Sequence, residues 1–259
     1  MNKAQRKAEA IKHFNSFQVR YKPQIEDSIA GTQSMKVSES PIVQAEIDKV
    51  SGLNETKISM RMTDTVSALY GLRVDGENIA VLNFASYKHP GGGYIEGAMA
   101  QEEALCTESS LYNVLKAFDD SVYAEQRAAT NYGLYASNLL YTPNVVFARS
   151  GYIKKCGVIT CSAPNASAAL RHKEVTLQDV KSAMRERIDY VLYAAATKTS
   201  RNTLVLGAFG CGVFGNDVTF TAETFKDLIT NKYKGVFKEV VFAIPDKEKY
   251  DIFKNIMEG

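Results

Sequence analysis

The sequence predicts an α/β domain with one sheet between layers of helices. Short apolar runs bounded by turn residues recur along the chain, helical periodicities fall between them, and two runs lead into glycine-rich loops that precede a helix. The chain of 259 residues is 45% hydrophobic and 23% charged, the balance of a globular protein. That composition excludes a disordered chain, a collagen-like fibre and a coiled coil.

A weakly amphipathic helix opens the chain and a polar stretch follows at 31–40. Helix starts are signalled by Ser40-Pro41 and by the Thr63-Asp64-Thr65 cluster ahead of Val66, Leu69 and Tyr70. Residues 1–62 are therefore expected to form a mainly helical extension packed on a domain made by 63–259. The run IAVLNFA at 79–85 reads as a strand buried on both faces. After it, Leu105, Leu111, Tyr112, Leu115 and Phe118 fall near one face of a helix predicted over 101–118. Further strands are expected at 144–148, 157–160, 203–206 and 239–244, where Val and Ile cluster between turn residues. The clearest helix runs through Leu177, Val180, Met184, Ile188, Val191, Leu192 and Ala195, with Thr176 as N-cap and Asp179 three residues on. Another spans 221–233, with Phe225, Leu228 and Ile229 on its apolar side.

Charge and special residues narrow the function classes. With 31 basic and 29 acidic side chains the net charge is +2, too little for a broad basic field around a nucleic acid, so any polyanionic ligand must be gripped locally. The basic opening segment has no apolar core of a signal peptide, and no run approaches the roughly 18 apolar residues of a membrane span. Four cysteines, Cys106, Cys156, Cys161 and Cys211, are too few for a disulfide scaffold of this size. A cytoplasmic protein without membrane contact is expected. His13, His89 and His172 are isolated and form no zinc motif, so neither a metal nor a cofactor is expected.

Two glycine loops carry the chemistry. Gly91-Gly92-Gly93 follows the first buried strand; without Cβ atoms, its backbone N–H groups can approach an anion closely. The second loop, GAFGCGVFG at 207–215, contains a literal GxGxxG after the strand at 203–206. A dinucleotide-binding site would need an acidic residue about 20 positions further on, at the end of the next strand. Asp246, which ends the next apolar run, lies well beyond that. Two loops suit a phosphate-bearing ligand clasped from two sides. Seven residues after the first loop, Gln101-Glu102-Glu103 places two carboxylates at a helix start. Such a pair is often only a solvated first turn. Beside a bound sugar diphosphate it can perform glycosidic chemistry.

The combination VLNFASYKHPGGG, seven residues, QEE, and later GAFGCGVFGND resembles the bacterial-type poly(ADP-ribose) glycohydrolases of the macrodomain superfamily. The similarity runs from about residue 63 to the end. It implies a macrodomain-like three-layer α/β/α sandwich around a mixed sheet, with ADP-ribose across the strand ends. By that resemblance Gly91, Gly92 and Gly93 form the catalytic loop, and Gly210, Cys211, Gly212, Val213 and Phe214 the diphosphate loop, with Phe214 against the terminal ribose. Glu103 would be the general acid and then base, Glu102 would accept hydrogen bonds from ribose hydroxyls, and Gln101 would support the loop. Asn83 and Ser86, at the end of the first ligand-facing strand, would contact ribose.

The implied reaction is hydrolysis of the ribose-ribose bond of poly(ADP-ribose), or of a related ADP-ribosyl linkage on protein or nucleic acid, by a monomer. A module that binds ADP-ribose without cleaving it shares the loops but has no need of the carboxylate pair. A nicotinamide oxidoreductase leaves GGG-x7-QEE unexplained.

Overall fold

The computed structural model describes residues 1–199 and 202–259. Two helices open the chain, α1 (Lys3–Arg20) and α2 (Lys22–Gly31), the first capped by a reciprocal box between Asn2 and Gln5. Strand β1 (Gln33–Lys36), helix α3 (Gln44–Asp48), strand β2 (Lys57–Arg61) and helix α4 (Thr65–Gly71) follow. Strand β3 (Ile79–Phe84) leads through the first glycine loop to α5 (Gln101–Thr107), α6 (Leu111–Lys116) and α7 (Ala124–Ala128). A long hairpin, β4 (Asn138–Arg149) and β5 (Tyr152–Cys161), precedes the short α8 (Ala166–Ala169) and the longest helix, α9 (Leu177–Thr197). Strand β6 (Thr203–Leu206), helix α10 (Val218–Asp227), strand β7 (Glu239–Ala243) and helix α11 (Lys247–Glu258) complete the chain.

The seven strands form one mixed sheet in the order β1-β4-β5-β3-β6-β7-β2. Strands β5, β3, β6, β7 and β2 are parallel, while β4 runs antiparallel to β5 and β1 antiparallel to β4. Alternation along β3 shows why helices cover both faces: Ala80 and Leu82 join the core under α9, α10 and α11, whereas Ile79 and Val81 join the core under α4, α5 and α6. Phe17, Tyr21 and Ile25 of α1 and α2 pack on Val114 and Val146, fastening the opening helices to the second layer. The expected three-layer sandwich with a central mixed sheet is the observed architecture.

Several boundaries differ from the sequence reading. The polar stretch at 31–40 contains β1, and 57–61 is β2, so the first 62 residues supply both edge strands. The sheet therefore continues across the division expected at 62/63; edge strands with polar faces lack the apolar run that marks β3. The helix predicted over 101–118 is two helices. Ser109 donates its hydroxyl to the Leu105 carbonyl, and the Ser110 N–H turns to the Val146 carbonyl, which breaks the helical ladder. The helix signalled by Ser40-Pro41 starts only at Gln44. The helix expected over 221–233 starts earlier, at Val218, capped by Asp217, and its last turn widens into a π turn over Leu228–Lys232. In α9 the Thr176–Asp179 capping box forms as predicted.

Candidate active site

Helix α5 starts beside the carboxyl end of β3, and Gln101 fixes it there. Its side-chain oxygen accepts the Phe84 N–H at 2.8 Å, while its amide donates to the Leu82 carbonyl at 2.8 Å and to Thr65 Oγ1 at 3.2 Å. Glu102 comes next and is 3% exposed. One of its oxygens accepts the Ser86 N–H at 2.7 Å and the other accepts Asn83 Nδ2 at 3.1 Å. Burial raises its pKa from 4.5 to about 8, against the pull of these hydrogen bonds and helped by the neighbouring Glu103. Glu103 is set differently: Oε1 accepts the Gly93 N–H at 2.8 Å, and Oε2 is buried with no hydrogen-bond partner. One carboxyl is thus satisfied on both oxygens, and the other is oriented through one oxygen while the second has no hydrogen-bond partner among the described residues.

The first glycine loop brings backbone directly against these groups. Gly91 and Gly92 take φ values of +67° and +60°, in the left-handed region. A Cβ on Gly92 would lie 2.5 Å from Glu103 Oε1 and 3.0 Å from Glu102 Oε2, so both carboxyls converge over a position that must be bare. The segment after the loop is held from outside by α1. Arg6 Nε donates to the Gly97 carbonyl at 2.9 Å, and the Tyr94 hydroxyl donates to the Ala10 carbonyl at 3.0 Å. Since that hydroxyl has spent its proton, His13 Nδ1, 2.7 Å away, must be the donor to the Tyr94 oxygen. Burial lowers the His13 pKa to about 4, consistent with a neutral ring in this position.

The second loop lies at the end of β6. Asn216 staples it by donating its amide to the Pro164 carbonyl at 2.7 Å and to the Gly210 carbonyl at 3.0 Å. Gly210 has φ +71° and Gly215 φ +69°, which fold the loop back on itself before Asp217 caps α10. Val213 stands out at 88% exposed, while Cys211 is buried. Burial pushes the Cys211 thiol up to about 11, so it is a packed neutral thiol and no nucleophile. The Phe214 ring lies 6.1 Å from that of Tyr135, which stacks on Tyr87 at 4.2 Å with planes 9° apart.

The structure gathers the expected residues at the carboxyl ends of β3 and β6, with two shifts in role. Asn83, expected at the ligand, is 0% exposed and stands behind Glu102, bonded to it and to Thr160 Oγ1 at 3.3 Å. A residue buried among strands holds another side chain rather than a sugar. The Ser86 hydroxyl accepts the N–H groups of Lys88 and His89, so it caps a turn while its own N–H serves Glu102. Sequence reasoning missed Tyr87, Tyr135 and Arg187. Arg187 is buried and donates to Ser137 Oγ at 3.1 Å, to the Leu134 carbonyl at 3.3 Å and to the Ser162 carbonyl, fixing the segment that carries Tyr135. A lone arginine on the apolar side of a long helix was the available signal.

A family model described as the catalytic domain of microbial-type PARG matches residues 4–150, a span that includes the opening helices as well as both carboxylates. The chain belongs to the microbial-type poly(ADP-ribose) glycohydrolase family. Among solved structures, poly(ADP-ribose) glycohydrolase from Deinococcus radiodurans in complex with ADP-ribose is 33% identical, with a TM-score of 0.83 over 91% of this chain and 98% of that one. The Thermomonospora curvata glycohydrolase bound to the inhibitor ADP-HPD is 29% identical, with a TM-score of 0.82 over 97% of this chain and 99% of that one. No curated protein gives a significant match. Coverage of nearly the whole of both solved glycohydrolases means that the family fold extends through β1 and β2 to α11. Among the described residues no helix is long and apolar enough to cross a membrane.

Proposed function

We propose that this chain is a poly(ADP-ribose) glycohydrolase that hydrolyses the O-glycosidic ribose-ribose bond and releases ADP-ribose. The observation that carries the reading is the asymmetry of the carboxylate pair: Glu103 has one oxygen oriented by Gly93 and the other without a hydrogen-bond partner among the described residues. In its protonated form Glu103 hands its proton to the leaving ribose oxygen as the glycosidic bond breaks and an oxocarbenium-like ribosyl centre develops. The resulting carboxylate takes a proton from the water that attacks this centre, and the acid is restored. Glu102, fixed by Ser86 and Asn83, orients the ribose through its remaining lone pairs. Backbone N–H groups of the two glycine loops hold the diphosphate, and Phe214 packs against the terminal ribose, so positioning contributes alongside proton transfer. The four cysteines are buried thiols, which supports work in a reducing compartment, the cytoplasm, and we take the acting form to be the monomer.

The test is release of ADP-ribose from poly(ADP-ribose), and from ADP-ribosylated protein and DNA, by the wild type and by Glu103→Gln. Release from the polymer is expected, with kcat reduced about 10²- to 10⁴-fold in the variant while ADP-ribose still binds. Tight binding of ADP-ribose by a wild type that releases none would make the chain a binding module instead.

A further inference from the structure

We infer that Tyr135 forms a stacking subsite for the leaving side of the substrate, taking the adenine of the next ADP-ribose unit. The inference rests on the glycohydrolase reading and adds a site beyond the terminal unit. Strand order gives the direction. The second loop follows β6 and the first loop, with the carboxylates, follows β3, so a ligand with its diphosphate at the β6 side and its reacting ribose at Glu103 points onward to β5 and β4. Because β4 is antiparallel to β5, its first residues lie at the carboxyl ends of the parallel strands, with Leu139 opposite Cys161. Tyr135 stands just before β4, on that side.

Its setting is built rather than incidental. One face of the ring stacks on buried Tyr87, whose neighbour Ser86 binds Glu102, and its edge approaches Phe214 of the second loop. The ring thus spans from the carboxylate side to the diphosphate loop, and the residue remains partly exposed. Its hydroxyl makes no hydrogen bond among the described residues, so its polar tip does not account for its position. Backbone strain is concentrated here too: Asn131, Tyr132 and Tyr135 have φ of +44°, +54° and +61°, values that non-glycine residues seldom take. The segment is over-determined by its anchors. The Tyr87 hydroxyl donates to the Ala129 carbonyl and accepts the Ala136 N–H, Arg187 holds the Leu134 carbonyl, and the Asn165 N–H holds the Gly133 carbonyl. Strain retained by such anchoring marks a place where a side chain is presented for use. The chemistry supplies the user. The leaving oxygen of the polymer is a 2′-hydroxyl of an adenosine, so an adenine lies one sugar away from the broken bond, and a flat aromatic surface is what a base stacks on.

The test compares Tyr135→Ala and Tyr135→Phe on poly(ADP-ribose) and on the 1″-O-methyl glycoside of ADP-ribose, whose leaving group has no base, with calorimetric ADP-ribose affinity as a third reading. Tyr135→Ala is expected to lower kcat/KM on the polymer by about tenfold or more while the methyl glycoside and the ADP-ribose Kd stay within about twofold of wild type. Tyr135→Phe should restore polymer turnover. Equal losses on both substrates, or a matching loss of ADP-ribose affinity, would place Tyr135 at the terminal ribose and overturn the subsite, as would undiminished polymer turnover by Tyr135→Ala. Failure of the wild type to release ADP-ribose from either substrate would instead overturn the glycohydrolase reading itself.

Discussion

Glu102 and Glu103 are neighbours in the chain and occupy different chemical surroundings, and the difference has a consequence for the free protein. Burial raises the Glu102 pKa from 4.5 to about 8, so between those values the folded chain keeps a proton that the unfolded chain has released. Its stabilising contribution is complete below pH 4.5 and is lost as pH rises through 8. His13 has the opposite sign, because its folded pKa of about 4 lies below the ordinary 6.5; its contribution is complete above 6.5 and is lost as pH falls through 4. The two oppose each other up to pH 6.5, and Glu102 acts alone above it. Urea unfolding of the ligand-free protein should therefore lose about 2 kcal/mol between pH 6.5 and 8, and Glu102→Gln should flatten that slope. An unchanged slope in the variant would assign the titration to another group. The glycines and carboxylates of this site were legible in sequence because close backbone approach and paired charge demand particular residues at fixed spacing. The buried place of Asn83, and the left-handed backbone that presents Tyr135, arise from tertiary packing and leave no local mark.

At the scale of elements, α1 is a strap on the segment that follows the first glycine loop. It holds the turn after Gly93 through Arg6 on the Gly97 carbonyl and through the Ala10–Tyr94–His13 chain of hydrogen bonds. The ion pair of Lys7 with Glu96 adds little, since both partners are well exposed. Tyr94→Phe keeps the ring and strands one buried group, the His13 N–H, while the Ala10 carbonyl keeps its partner inside α1. A loss of about 2 kcal/mol in urea unfolding at pH 7 is expected, together with faster amide exchange at 91–98 than in α9. A stability loss with unchanged relative protection of the loop would show that α1 only packs and does not order it. The elements that sequence reasoning located, β3, β6, β7 and α9, are those whose burial is one-sided or complete and so written as periodicity. Strands β1 and β2 escaped because each lies at an edge of the sheet with only one neighbour, and the break between α5 and α6 because two serines read as tolerable helix residues until Val146 offers a partner.

Across the whole molecule, the site is assembled from stretches distant in sequence: the turn after β3 with α5, the segment before β4, and the loop after β6 meet only because the sheet sets β3 between β5 and β6. Charge follows the same economy. With 31 basic and 29 acidic side chains there is little net field, and Arg127, which donates to the Lys88 carbonyl beside the first loop, is already paired with Asp119. The diphosphate grip proposed for the two loops uses backbone N–H groups, which add nothing to net charge. A polymer held through one terminal diphosphate and a stacked base should therefore respond weakly to salt, losing less than about tenfold in affinity between 50 and 200 mM, whereas a chain neutralising six or more phosphates would lose roughly 10³-fold or more. Titration of poly(ADP-ribose) into Glu103→Gln at several salt concentrations measures this directly, since the polymer then stays intact. A slope of the steeper kind would mean that basic side chains track the polymer beyond Tyr135, and that the near balance of charge conceals a local stripe.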